Sequence, residues 1–383
     1  MTPWFYFKLI FLLCYTGIGA YISYIVYKGE KKYYDPIFVN KKSKDGKEEV
    51  TVSLHDEFDV FTRKDNPISY LKLFFGMITT AWIKLIISVI MSCILSFRLS
   101  KRAEEKNNKF DKDDIEYMKQ QTYFCTSLFL RFSGIFSFQK KLPDDKVLEV
   151  YKKYFGPDYK LQYDGKFCCY ICNHTSFNDI LLAMRYYGCG FISKESVSKI
   201  PVFGKIATGL QSVFVNREDP NSRHDVLNKI IERQKKIYNG ENVMPLMIFP
   251  EGTTTSGRHL LKFKKGAFVN LLPIKPCFVL PNLNDNFHLG CGSTNVGINY
   301  LRTLTELYVQ TAYYELPIMT PNDYMFENFT HLGKEKWEIY AEVARDIMCE
   351  LGDFKKSDFT LKDSYRYDDS IKQKRFIEKE KTA

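Results

Sequence analysis

Phe167 to Asp179 constrains the fold of this chain more than any other stretch. Phe167-Cys168-Cys169-Tyr170-Ile171-Cys172 is a run of small and apolar residues, which suits a buried strand. It stops at Asn173-His174, and a helix pattern starts immediately, with Ile180, Leu181, Leu182 and Met184 on its apolar side. Thr175 or Ser176 suits the N-cap. With Ser176 in that place, Asp179 is the third helical residue, a carboxylate variant of the capping box.

The interval from His174 to Asp179 carries its own information. Five residues on a continuous helix advance by about 500°, which puts two side chains on different faces. The pair meets only if His174 precedes the helix and Asp179 reaches back from the first turn. A carboxylate there holds one ring nitrogen and leaves the other free as a base. The plainer alternative is that Asp179 only caps the helix and His174 only ends the strand.

A second stretch, Leu246-Met247-Ile248-Phe249-Pro250-Glu251-Gly252-Thr253, is again an apolar strand ending in polar residues and a glycine. At the carboxyl edge of an α/β sheet such strand ends converge on one crevice. With both stretches on the page, the chain resembles the glycerolipid acyltransferase family. His174-Thr175-Ser176-Phe177-Asn178-Asp179 matches its HxxxxD motif, and Phe249 to Thr253 its FPEGT motif. Phe214-Val215-Asn216-Arg217 resembles the arginine block between them, and Ile274-Lys275-Pro276 the proline block after them. From about Asn66 to Tyr367, the chain is most similar to the lysophosphatidylcholine and lysophosphatidylethanolamine acyltransferases.

The resemblance implies an α/β fold, a mixed central sheet flanked by helices, behind N-terminal membrane helices. It implies transfer of an acyl group from acyl-CoA, as co-substrate, to a lysophospholipid at a lipid bilayer, with no other cofactor, no metal and no covalent acyl-enzyme. His174 and Asp179 would be catalytic. Arg217, Glu251, Gly252 and Thr253 would position glycerol and phosphate, since a guanidinium fork suits a phosphate. Lys194, at the end of the strand Gly190 to Lys194, would stabilise the oxyanion; the alternative is an exposed strand-end lysine. Arg217 has the alternative of a surface salt bridge with Glu218 or Asp219. Cys172 lies two residues from His174, but as a strand residue it should point into the core. A CoA-independent transacylase and a catalytically silent lipid-binding protein are the competing readings.

The net charge of +10 and 16% aromatic residues suit either nucleic acid or an anionic membrane surface. No zinc-finger spacing, ribonucleoprotein block or basic zipper is present, which favours the membrane and excludes nucleic acid as the expected partner. Leu9 to Tyr27 is uncharged and long enough to cross a bilayer, which takes about 20 apolar residues. A cleaved signal peptide is the alternative, though no clear cleavage site follows. Lys28, Lys31, Lys32, Lys41, Lys42, Lys44 and Lys47 follow the run and only Lys8 precedes it, so the positive-inside rule places the rest of the chain in the cytosol.

Five parts are expected: an anchor over 1–30, a basic linker over 31–68, a membrane segment over 69–102, the acyltransferase domain over 103–320, and a C-terminal helix and charged tail over 321–383. Within 69–102, Lys84 interrupts the apolar run and basic residues flank both sides. A mid-bilayer lysine costs about 2.5–3.5 kcal/mol on the insertion scale, which argues for a re-entrant or interfacial hairpin over a second full span. Helices are expected over Tyr117 to Phe138, Leu142 to Tyr154, Ser222 to Tyr238 and Trp337 to Leu351. Arg258, Lys262, Lys264 and Lys265 form a basic patch suited to phosphates of acyl-CoA or lipid, or else a solvated face. Some members of the branch carry EF-hands, but no calcium-loop pattern occurs in this chain. Lys379-Glu380-Lys381-Thr382-Ala383 resembles a dilysine retrieval signal, which would place the protein in the endoplasmic reticulum membrane.

Overall fold

A computed structural model describes residues 3–42, 49–63, 68–215, 222–281 and 294–374. Arg217 and the tail from 375 onward lie outside the described residues.

The centre is a seven-stranded mixed sheet in the order β3-β10-β9-β4-β7-β5-β6. Its strands are β3 (Ile135–Lys140), β4 (Tyr170–Cys172), β5 (Gly190–Lys194), β6 (Val213–Val215), β7 (Leu246–Ile248), β9 (Lys275–Pro281) and β10 (Val309–Glu315). β9, β4, β7, β5 and β6 run parallel; β10 is antiparallel to β9, and β3 is parallel to β10. The α/β class with a mixed sheet is therefore as the resemblance implies. Two short pairs lie outside it: β1 (Phe38–Lys42) with β2 (Glu49–Ser53), antiparallel, and β8 (His259–Leu260) with β11 (Lys355–Lys356), parallel.

Both faces of the sheet are covered, which explains why the central strands read as unbroken apolar runs. Successive residues serve opposite cores. Ile171, Leu246 and Ile248 join Tyr151, Phe278 and Tyr340 on the side of helices Asp144–Phe155 and Lys336–Gly352. Cys172 and Met247 join Leu130 and Leu182 on the other side, under helices Lys112–Phe132 and Asn178–Tyr187.

The segment expected as a hairpin does not turn back. Tyr70–Glu105 is one continuous helix of 36 residues, with a π-helical stretch over Met77–Ala81. At 1.5 Å per residue it runs for about 54 Å. The lysine that suggested a reversal is satisfied by protein: Lys84 Nζ donates to the carbonyls of Glu306 and of Leu307, the latter at 3.2 Å. The helix is apolar outward and partly polar inward. Leu71, Phe75, Ile83, Ile86, Ile90 and Phe97 are exposed, while Ser88, Ser92 and Ser96 are buried beside Leu95 and Leu99. Water would select the reverse arrangement; a lipid-facing helix accepts this one. Pro3–Lys31, the first helix, is also long and apolar enough to cross a membrane, and it exposes Trp4, Phe7, Ile10, Phe11 and Leu13.

Two further expectations need correction. The helix foreseen over Tyr117 to Phe138 ends at Phe132, and Phe136 and Phe138 stand on strand β3, exposed at alternate positions. The basic linker is folded where it is described, as the β1–β2 pair followed by a short turn of helix at Leu54–Glu57. The helices over Ser222–Tyr238 and Lys336–Gly352 stand where the sequence puts them.

Candidate active site

The strand registers fix which residues share the carboxyl edge of the sheet. Tyr170 pairs with Met247, Phe191 with Met247, and Lys194 with Val215. Three residues further along, Asn173, Pro250, Lys194 and Val215 therefore stand at one level, and His174 and Glu251 are the next residues up. Asn173 closes the edge of β4 like a strand residue. Its side-chain amide donates to Val279 O at 3.0 Å, and its oxygen accepts from Val279 N at 2.8 Å.

His174 sits in the loop, and the helix behind it begins at Asn178. Asp179, 2% exposed, reaches back as the spacing requires. His174 Nδ1 lies 3.0 Å from Asp179 Oδ2. The same oxygen accepts the backbone N–H of Thr175 at 2.5 Å and of Ser176 at 2.8 Å, and Thr175 Oγ1 donates to Oδ1 at 3.0 Å. The carboxylate thus fixes the loop and the ring together. Because Asp179 can only accept, Nδ1 carries the proton and Nε2 is left as the basic atom. Nε2 has no hydrogen-bond partner among the described residues, and the side chain keeps 17% exposure. The capping box is only half realised: Ser176 N–H finds Asp179, but Ser176 Oγ accepts from Asn178 N at 3.2 Å.

Phe249 supplies the floor. Its ring stacks on the imidazole with centroids 4.1 Å apart and planes 16° apart, which fixes the plane in which Nε2 points. Phe177 makes edge contacts with Phe203 and Tyr300, so the helix Val296–Thr305 also touches the site.

Glu251 is tied into the backbone frame of the site. It is 1% exposed, and its two oxygens accept backbone N–H groups from His174 and from Leu261, each at 2.9 Å. Thr255 N donates to His174 O at 2.9 Å. The histidine loop is therefore held on both main-chain groups of His174 by the loop that follows β7. Glu251, named by the resemblance among the residues that position glycerol and phosphate, holds the histidine loop through both carboxylate oxygens in the structure. Gly252 adopts φ +71°, which favours glycine, and Lys264 runs close against its Cα. Thr253 is partly exposed on the same loop.

Burial pushes the Glu251 carboxyl up to about 8, against the pull of its two N–H donors and of Arg345. Such a group holds its proton in the folded chain where the unfolded chain has released it, so its stabilising contribution is fully present below about 4.5 and is lost as pH rises through 8. Wild type is expected to lose thermal stability relative to Glu251→Gln between those limits. A difference between the two melting curves that stays constant from pH 5 to 8.5 would refute this.

Lys194 is exposed at the end of β5. β7 lies between β5 and β4, so its backbone starts about 10 Å from the histidine strand, two strand spacings away. β6, which leads to Arg217, is one strand further out. Cys172 is fully buried against Cys277, and burial holds its thiol well above the usual range, so it is no nucleophile. Of the basic patch, Arg258, Lys262 and Lys264 are exposed, while Lys265 lies 3.9 Å from Glu335 and over the Trp337 ring. Lys262 lines a cleft of about 450 Å³ that also presents Glu338 and Glu342, a mixed lining and not a simple anion site. Among the described residues no three His, Cys, Asp or Glu side chains cluster to hold a metal ion. The contribution of Asn173 was not foreseen; its adjacency to the histidine was the only available signal.

Residues 154–281 match the family model described as Acyltransferase. A lysophosphatidylcholine acyltransferase of Drosophila melanogaster is 29% identical over 194 residues, covering 50% of this chain and 34% of that protein. The lysophospholipid acyltransferase LPEAT1 of Arabidopsis thaliana is 30% identical over 199 residues, covering 51% of this chain and 48% of that protein. The alignments thus span between a third and a half of the length of these relatives. The crystal structure of the 1-acyl-sn-glycerophosphate acyltransferase PlsC from Thermotoga maritima overlaps 71% of this chain and 96% of that chain, at TM-score 0.45 and 17% identity. The matched domain and these relatives support placing the chain in the glycerolipid acyltransferase family, with its similarity running to the lysophosphatidylcholine acyltransferase branch.

Proposed function

We propose that this chain is a membrane-bound acyl-CoA:lysophospholipid O-acyltransferase, acting on lysophosphatidylcholine, lysophosphatidylethanolamine or lysophosphatidic acid. The observation that carries the reading is the His174–Asp179 pair at 3.0 Å, with Nε2 left without a hydrogen-bond partner among the described residues and the side chain 17% exposed. Nε2 takes the proton from the lysolipid hydroxyl while its oxygen attacks the thioester carbonyl. The tetrahedral intermediate then expels the CoA thiolate, which takes the proton back from the imidazolium. Products are the diacyl phospholipid and free CoA. General-base help of this kind contributes roughly 10²–10⁴ in rate, and holding both substrates together takes about 7–11 kcal/mol off the barrier. Burial of Cys172 supports direct transfer without an acyl-cysteine. Lys194 and Arg217 remain candidates for the oxyanion and the phosphate.

The outward apolar faces of the two long helices support membrane attachment. The lysine-rich sequence after the first helix supports a cytosolic catalytic domain. Asn328-Phe329-Thr330 is an exposed glycosylation sequon, so cytosolic placement implies that Asn328 stays unmodified in cells. A glycan there, seen as a glycosidase-sensitive mass shift, would reverse the topology.

The activity is tested by following labelled acyl groups from acyl-CoA into phospholipid, with a panel of lysolipid acceptors. Acceptor-dependent incorporation is expected. Transfer that persists without acyl-CoA would indicate a transacylase, and no transfer with any acceptor a silent lipid-binding protein.

A further inference from the structure

Residues that follow the first helix and the last described helix meet on the loop that holds the histidine. A small separate core contains Tyr33, Leu54, Phe58 and Phe61 from the N-terminal side and Tyr367 and Ile371 from the last helix, Leu361–Gln373. One residue from the catalytic domain is buried among them: Leu261, at 1% exposure. The amide of this leucine is the one that donates to Glu251 Oε2 at 2.9 Å, and Glu251 Oε1 accepts from His174 N.

Other contacts seat the same return leg of the loop. Ser256 N donates to Val60 O at 2.7 Å. Lys355 N donates to Arg258 O and Ser357 N to Leu260 O, each at 3.0 Å, as β11 pairs with β8. Arg345 Nη2 donates to Leu260 O at 2.8 Å and to Ser357 O at 2.6 Å. Tyr367, fully buried, keeps the module together: its hydroxyl lies 3.0 Å from His55 Nδ1 and accepts from Thr62 Oγ1 at 3.1 Å. All of these partners from residues 54–62 and 345–371 lie outside the matched stretch 154–281.

We infer that Leu261 is a positioning residue for the active site: its side chain, seated in the core built from residues 33–61 and the last described helix, sets its amide against Glu251 and through Glu251 sets the backbone of His174. The module formed by residues 54–63 and the last helix is thus part of the active-site frame and not a passive linker and tail. The kinetic part of the inference rests on the acyltransferase reading above.

The test uses the full chain in lipid nanodiscs. Leu261→Ala leaves the amide in place but empties its anchor. It is expected to lower kcat about tenfold with both KM values within about twofold of wild type, since no substrate contact is removed. In a Glu251→Gln background the same change should add less than about twofold, because both act through one connection. Equal fold losses in the two backgrounds would overturn the inference. A second readout needs no activity: the rate at which diethyl pyrocarbonate modifies His174, followed by mass spectrometry with exposed His331 as internal reference. Leu261→Ala should change the His174 rate at least about threefold and leave His331 unchanged; an unchanged His174 rate overturns the inference even if acyl transfer is never detected. If Leu261→Ala does not fold, Tyr367→Phe, which removes only the hydroxyl, replaces it with the same expectations and the same overturning results.

Discussion

Replacing His174 with alanine is expected to lower kcat for acyl transfer by about 10²–10⁴, with the folded protein retained. The ring is partly exposed, it stacks on Phe249, and its Nδ1 lies on Asp179. Phe249 packs on the core that holds Phe191 and Met247, but the imidazole itself is partly exposed, so truncation removes the base without collapsing the site. The backbone N–H of residue 174 still reaches Glu251 and its carbonyl still accepts from Thr255, so the loop keeps its frame. Residual turnover reports how much rate comes from holding the two substrates together. The check is labelled acyl-CoA consumption at saturating lysolipid, beside a melting curve showing that the variant is folded.

Asp179→Asn is the second large effect, and its geometry separates charge from orientation. Among the described residues, Asp179 Oδ2 accepts three N–H groups, while Oδ1 accepts the Thr175 hydroxyl. Asparagine can place its carbonyl oxygen at the Oδ2 position and its NH₂ at the Oδ1 position, where the Thr175 hydroxyl turns to accept. The tautomer and the loop then survive, and the loss is that of the negative charge beside the developing imidazolium. A fall in kcat of roughly 10²-fold is expected, smaller than the loss seen where an asparagine forces the wrong tautomer. Asp179→Ala should be worse in a different way. It leaves the Thr175 and Ser176 amides buried without an acceptor, at about 1–3 kcal/mol each, so stability falls along with rate. Equal kcat values for Asp179→Asn and wild type would remove the carboxylate from the mechanism.

Much of this site is legible in the sequence because local rules write it. The apolar run to Cys172, the stop at His174 and the five-residue interval to Asp179 force a strand, a loop and a helix whose first turn faces backward. The strand before Phe249 obeys the same logic, and adjacency of β4 and β7 then brings the two blocks together. The rest depends on contacts far apart in the chain. Lys84 reads as a break in a membrane segment because its acceptors, at Glu306 and Leu307, lie more than two hundred residues away. Glu251 reads as a substrate ligand because its letter is in a motif; only the fold shows that two amides occupy its carboxylate. Leu261 carries no signal at all, being one more apolar residue whose amide happens to matter. Phe136 and Phe138 read as helix because aromatic residues continue the preceding pattern, and pairing with β10 overrides it.

Single-turnover transfer tests the central claim most directly. Excess purified protein in nanodiscs is mixed with acyl-labelled acyl-CoA, first without acceptor and then with lysophosphatidylcholine. The expected result is label that stays on CoA until acceptor is added, then appears in phospholipid with one free CoA released per acyl group, and never on the protein. Label accumulating on the protein before the acceptor is added, or transfer at the wild-type rate by His174→Ala, would contradict direct attack promoted by the imidazole.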